Sequence, residues 1–290
     1  MNEFLHQLAS GLALGGIYAI MALALVMIYQ ATHLVNFAQG EMAMFSTYFA
    51  WKLMDSGWPY WRAFVVSVIA SFVGGVVIER LVVRPFSRAP VLASIIVFIG
   101  LALIFNALAG WLYGYSVTSF DTPFSGGPWF GTGYMSAHES GAVVVSLCVL
   151  ALIYAFFRFT SLGLAMRAAA QNPVSSRLVG IRVGWMLAIG WGLAAAIGAI
   201  AGMMAAPIVY LDPNMMAGIL LYAFAGAVLG GIDSPFGAAF GGFAVGVLEN
   251  LVGAYVVGAE VKLSVALAII VGVLVWRPSG LFGRRLMARV

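Results

Sequence analysis

The chain has 290 residues, of which 63% are hydrophobic and 8% charged, with a mean hydropathy of +1.04 and a formal charge of +4. Soluble domains carry about 25% charged residues; no water-soluble fold of this length hides so much apolar surface, so the composition predicts an all-α polytopic membrane protein. The positive charge does not point to nucleic acid, because the basic residues sit beside apolar runs, and the single cysteine, Cys148, excludes an internal disulfide and any cysteine-based metal cluster.

A bilayer core of about 30 Å takes roughly 20 apolar residues as a helix. The N-terminus, MNEFLHQLAS, lacks the basic n-region of a signal peptide, so the first apolar run is expected to remain as a span. Spans are predicted near 8–30, 37–52, 62–83, 91–113, 140–157, 184–208, 215–231, 236–257 and 262–276. That makes nine helices, or eight crossings if one of the short segments 37–52, 215–231 and 262–276 is re-entrant and the N-terminus lies inside.

Orientation follows the Lys/Arg bias of cytoplasmic loops. Eleven of the 14 basic residues fall in three groups: Arg80, Arg84 and Arg88; Arg158, Arg167, Arg177 and Arg182; and Arg277, Arg284, Arg285 and Arg289. All three are expected in the cytoplasm, the last on a tail at 277–290. The loop 114–139 has acidic residues but no Lys or Arg and is expected outside. These anchors put the N-terminus outside and the C-terminus inside.

The whole chain reads as one transmembrane domain with an internal division. GVVIERLV near residue 75 and VGVLENLV near 245 align Glu79 with Glu249, at an offset of 170. This pairs a first half (8–113) with a second (184–276), with span 140–157 as the linker that inverts the second copy. Inverted repeats mark many transporters. Chance matching of Val/Gly/Leu runs accounts for the pair equally well, and both readings stand.

No P-loop, GxSxG, HExxH or CxxC is present, so no enzyme is expected. His6, His33 and His138 lie far apart and read as interfacial or loop residues rather than metal ligands. Buried polar groups in a membrane cost roughly 2.5–3.5 kcal/mol per charge at a helix centre, so they are the functional candidates. Asn36, Gln39 and Glu41 form one cluster, in the turn between the first two spans. Two readings stand: a polar turn in which Asn36 caps the next helix, or part of a transport pathway. Glu249 and Asn250 lie within span 236–257; for Glu249 a hydrogen bond to a neighbouring helix and a place in the pathway both stand. Asn106 is a weaker candidate of the same kind. Glu79 is expected to pair with Arg80 or Arg84.

GxxxG spacing recurs at Gly11/Gly15, Gly198/Gly202, Gly226/Gly230, Gly237/Gly241 and Gly242/Gly246, and predicts closely packed helices. In GAVLGGIDSPFG, Asp233 or Ser234 is placed to cap the next helix, with Pro235 in its first turn. The segment 158–182 has four arginines and no acidic residue. Within it Asn172 suits an N-cap, Pro173 the first helical position and Gly180 a C-terminal stop. A helix of about seven residues is marginal alone in water. It needs a partner surface, unless the segment is a basic loop that only sets topology.

Several blocks carry a family resemblance: GLALGGIYAIMALALVMIY (11–29), LVNFAQGEMAMFSTYFAW (34–51), GLAMRAAAQNPVSSRLVGI (163–181), YAFAGAVLGGIDSPFGAAFGGFAVGVLENL (222–251) and VWRPSGLFG (275–283). Together they resemble the permease subunits of branched-chain amino acid ABC importers, of the LivH type, over nearly the whole chain. The resemblance implies a subunit of the bacterial inner membrane that imports branched-chain or other apolar amino acids. It implies a second homologous permease, two cytoplasmic ATPases and a periplasmic binding protein. ATP-Mg would bind on the ATPases, leaving this chain without a cofactor. Arg167, Gln171, Asn172, Pro173, Arg177 and Gly180 would couple to the ATPases. The chain departs from the pattern at Gln171-Asn172, where an acidic residue often follows the RAxA stretch. An ABC permease for urea or short amides, and a self-sufficient secondary transporter or channel, remain as alternatives.

Overall fold

Apolar runs long enough to cross a bilayer satisfy their backbone groups within the segment, and so form helices. The structure, a computed structural model, describes residues 2–32, 34–86, 89–124, 126–127, 133–258 and 261–283. His33, Arg88, Arg284, Arg285 and Arg289 lie outside the described residues. Among the described residues there are eleven α-helices: α1 (Asn2–Thr32), α2 (Gln39–Asp55), α3 (Tyr60–Ile78), α4 (Val91–Tyr113), α5 (Ala137–Phe159), α6 (Ser161–Gln171), α7 (Pro173–Leu178), α8 (Val183–Val209), α9 (Met215–Gly230), α10 (Pro235–Val252) and α11 (Lys262–Trp276). α3 continues into a π-helical turn, Glu79–Val83, and α10 into another, Gly253–Val257.

Among the described residues, six helical stretches are long and apolar enough to span a membrane: Asn2–Thr32, Tyr60–Phe86, Val91–Tyr113, Ala137–Phe159, Val183–Val209 and Pro235–Val256. The fold is that of an all-α polytopic membrane protein. α2, α9 and α11 have 17, 16 and 15 residues. At 1.5 Å per residue they reach only about 22–26 Å, short of a bilayer core. These are the three segments whose length left their crossing open in the sequence.

Helix starts follow local chemistry. α3 and α4 begin after Pro59 and Pro90, each extended at its N-cap. α5 begins with a capping box: the Ser136 hydroxyl accepts from Glu139 N at 3.2 Å, and the Glu139 carboxylate accepts from Ser136 N at 2.7 Å. Ser234 caps α10 by accepting from Gly237 N at 3.1 Å, with Pro235 in the first turn.

The chain forms two compact units. The first comprises residues 1–26, 124–146 and 218–290. Here the opening part of α1 packs on α10 through glycine. A Cβ on Gly15 would stand 2.9 Å from Phe243 Cα, and one on Gly246 would collide with the Gly15 backbone. Gly226 meets Gly242 in the same way, at 2.7 Å, and Gly230 meets Gly237. These helices therefore touch backbone to backbone.

The second unit comprises residues 27–123 and 147–217. α3 packs along α8, where a Cβ on Gly75 would lie 2.6 Å from the Trp191 carbonyl and one on Gly192 2.9 Å from the Phe72 carbonyl. Trp191 is fully buried and its ring lies 5.8 Å from that of Phe98 on α4. In each unit, then, the first helix of one predicted half packs on the third helix of the other: α1 on α10, and α8 on α3. The outward residues of α3 and α4, among them Ile69, Val73, Leu103 and Trp111, are exposed and apolar, as a lipid-facing surface requires.

Candidate pathway and coupling sites

The break between α1 and α2 is buried. Asn36 and Gln39 have no exposed surface. The Asn36 amide donates to Gln39 Oε1 at 3.3 Å, and Gln39 Nε2 donates to the Ala194 carbonyl, near the middle of α8, at 2.8 Å. Gly198 clears space for this side chain: a Cβ there would sit 2.7 Å from Gln39 Nε2. α2 thus starts against the midpoint of a spanning helix, and irregular backbone at such depth is tolerated only where protein or a cavity surrounds it. One expectation is corrected. Asn36 does not cap α2; Ala38 holds the N-cap position without a side-chain bond, and Asn36 Oδ1 accepts from Ala38 N at 3.1 Å. The chain is already helical at Ala38 (φ −80°, ψ −2°), so the Asn36 carbonyl oxygen closes a two-residue turn instead.

Glu41, two residues into α2, meets a different set of partners. Asn106 Nδ2, on α4, lies 3.3 Å from Glu41 Oε2, 2.8 Å from the Pro213 carbonyl and 3.2 Å from Asn214 Oδ1. The 212–214 segment is held there by a paired bridge between Thr118 and Leu211, with both N–H···O bonds at 2.9 Å. Asp212 accepts from Asn214 N at 2.6 Å and lies within electrostatic reach of both Glu41 and Tyr48. Among the described residues no Lys, Arg or His forms an ion pair with Glu41 or Asp212. Asn106, the weaker candidate in the sequence, is the centre of this group.

Glu249 and Asn250, in the first unit, sit in a closed network. The Tyr18 hydroxyl donates to Glu249 Oε2 at 2.9 Å, and the Tyr18 ring stacks on Tyr222 at 5.1 Å. Lys262 Nζ lies 3.9 Å from Glu249 Oε1 and donates to Asn250 Oδ1 at 3.3 Å. Asn250 Nδ2 donates to the carbonyl and side-chain oxygens of Gln7, at 2.7 and 2.8 Å. Sequence reasoning missed Lys262, one of three basic residues outside the arginine groups and the first residue of a short apolar helix.

The basic segment folds as two short helices. Thr160 caps α6 by accepting from Gly163 N at 3.0 Å, and Asn172 caps α7 by accepting from Ser175 N at 2.9 Å, with Pro173 in the first turn. Gly180 ends the segment at φ +85°, a conformation that favours glycine. Met166 and Ala169 are buried, whereas Arg167, Gln171 and Arg177 are exposed. Leu178 and Val179 are 84% and 76% exposed. The segment is tied to the spanning helices at its far end. Arg84 bonds Glu79 at 3.2 Å and the Gly184 carbonyl at the start of α8, and the Arg80 guanidinium lies 3.6 Å above the Trp185 ring.

Buried carboxylates and amides at helix breaks and crossings, on a polytopic helical frame, define a membrane permease. More particularly, residues 7–274 match the family model for the permease component of the branched-chain amino acid transport system, and the chain belongs to that family. It is 31% identical, over 97% of its length and 96% of the relative's, to the high-affinity branched-chain amino acid transport system permease protein LivH of Escherichia coli K12. The corresponding protein BraD of Pseudomonas aeruginosa is also 31% identical over the same shares. A probable branched-chain amino acid transport permease protein LivH of Methanocaldococcus jannaschii is 26% identical over 83% of this chain and 78% of that protein. Among solved structures, PsaBC from Streptococcus pneumoniae in complex with Fab superposes with a TM-score of 0.52 at 12% identity, covering 93% of this chain and 91% of that one, a likeness of fold.

Proposed function

We propose that this chain is the membrane-spanning subunit of an ATP-driven importer for branched-chain or other apolar amino acids in a bacterial inner membrane. A second homologous permease completes the pathway, two cytoplasmic ATPases bind ATP-Mg, and a periplasmic binding protein delivers the amino acid. The observation that carries this reading is the α6–α7 pair. A six-residue helix with an N-cap, a first-turn proline, an outward Arg177 and outward Leu178, followed by outward Val179, is built for contact, and so short a helix is not stable by itself. It leads directly into α8, so a push on α7 reaches the spanning helices. A cavity of about 200 Å³ in the second unit, walled by Met42, Phe45, Phe49 and Phe105, is consistent with apolar cargo.

In this reading α6, α7 and the C-terminus face the cytoplasm. Replacing both Arg167 and Arg177 with Glu is expected to abolish co-purification of the ATPases and transport, with membrane insertion intact. Retention of both would remove the docking role. Cysteines placed at positions 126 and 172 are expected to label from opposite sides of the membrane.

A further inference from the structure

The Glu41 group is chemically incomplete. Its centre is one amide nitrogen, Asn106 Nδ2, facing three oxygens: Glu41 Oε2, the Pro213 carbonyl and Asn214 Oδ1, at 3.3, 2.8 and 3.2 Å. An amide NH2 has two hydrogens, so one of the three acceptors goes unserved. With Asp212 close by, the group carries two carboxylates, and among the described residues neither forms an ion pair. The nearest lysine on the same helix, Lys52, is bound to Asp55 at 2.8 Å.

A second observation is independent of these oxygens. Tyr48 lies two helical turns beyond Glu41 on the same face of α2 and is 1% exposed. Its ring stacks on Tyr113 at 5.0 Å, its hydroxyl has no hydrogen-bond partner, and Asp212 lies within its electrostatic reach. A buried hydroxyl with an unmade bond is costly, on the order of 1–3 kcal/mol, and calls for a partner that the resting protein does not supply.

We propose that Glu41, Asp212, Asn214 and the Pro213 carbonyl form a cradle for a primary ammonium group, the α-ammonium of the transported amino acid, with Tyr48 lining it. The inference rests on the importer reading and gives that reading a recognition site. Three oxygens around one nitrogen is the surrounding that an –NH3⁺ group, with three hydrogens, fills completely. Asn106 holds the place of that nitrogen until cargo arrives and then turns aside, which its half-buried position allows. The added positive charge offsets one of the two carboxylate charges. Asn214 is exposed and Glu41 and Asp212 are half-buried, so a ligand reaches the cradle without unfolding it.

The test is leucine uptake by the complete transporter, with its partner subunits, in proteoliposomes containing either sodium or choline. Glu41→Gln and Tyr48→Phe are each expected to cut uptake by about tenfold, the worth of one charge-assisted bond, with assembly of the transporter unchanged. Tyr48→Phe removes no hydrogen bond, so it folds at least as well as the parent, and a purely structural tyrosine would leave uptake unaltered. Wild-type uptake of leucine together with wild-type rates in both variants overturns the cradle and leaves the importer reading standing. Failure of the unaltered transporter to take up any amino acid removes the reading and the cradle together. Uptake that needs sodium, with Glu41→Gln erasing that need, assigns the oxygens to an inorganic cation and overturns the ammonium.

Discussion

Glu249 on α10 meets a lysine, a tyrosine hydroxyl and, through its neighbour Asn250, a second amide side chain; Glu41 on α2 meets one amide and an excess of oxygens. Both carboxylates lie among apolar helices, where an uncompensated charge is expensive. In the first case the compensation comes from the chain itself: Glu249, Tyr18, Lys262 and Asn250 each have a polar partner within the network, so it reads as a rivet between α1, α10 and the start of α11. In the second case the compensation is missing. The same residue type among apolar helices thus does not imply the same role; what separates the two is whether the surrounding side chains match donors to acceptors.

The comparison predicts opposite signatures on substitution. The largest effect is expected from Glu249→Ala, which leaves Lys262 in the protein interior without its counter-charge. Breaking such a pair costs about 3 kcal/mol, measurable as loss of resistance to thermal or SDS unfolding, and the double change Glu249→Gln with Lys262→Met is expected to recover most of it. Next is Gly246→Ala, whose Cβ collides with the backbone of Gly15; it is expected to cost about 2 kcal/mol by overpacking. Gly272→Ala on α11, with open space around it, is expected to be neutral or slightly stabilising. Asn172→Ala removes the α7 cap, worth about 1 kcal/mol, and is expected to show as faster amide exchange at residues 174–178 with the spanning helices unaffected. Glu41→Gln is likewise expected to shift unfolding by less than about 0.5 kcal/mol, since no ion pair is lost; a large loss would place Glu41 with Glu249 as a structural group.

Features that depend on neighbouring residues were legible in the sequence. Asn172-Pro173 and Ser234-Pro235 announce helix starts because a cap needs only the next three residues, and both side chains make the bonds those dipeptides predict. The glycine pairs announced close crossings, although not which helices cross. The failures are long-range or depend on backbone angle. Asn36 reads as a cap until the chain is seen to become helical at Ala38. The surroundings of Glu41 come from α4 and the segment 212–214 before α9, with its bonded partner Asn106 65 positions away. Tyr48 has no sequence signal at all, because its one peculiarity is an absent bond. Lys262 was visible as a cation beside an apolar run, but its pairing with Glu249 depends on how α11 returns along α10.

The glycine seam between α1 and α10 has a mechanical consequence. Side chains that interlock must change rotamer or climb over one another before two helices shift lengthwise, and each such obstacle is a barrier. Where Gly15, Gly242 and Gly246 bring main chain against main chain, the surfaces are smooth on the scale of a methyl group. Such a contact holds through dispersion over its whole length and resists separation, while offering few teeth against slip. It is a bearing, suited to the small shear displacements by which packed helices accommodate one another, and each added methyl group along it would act as a brake.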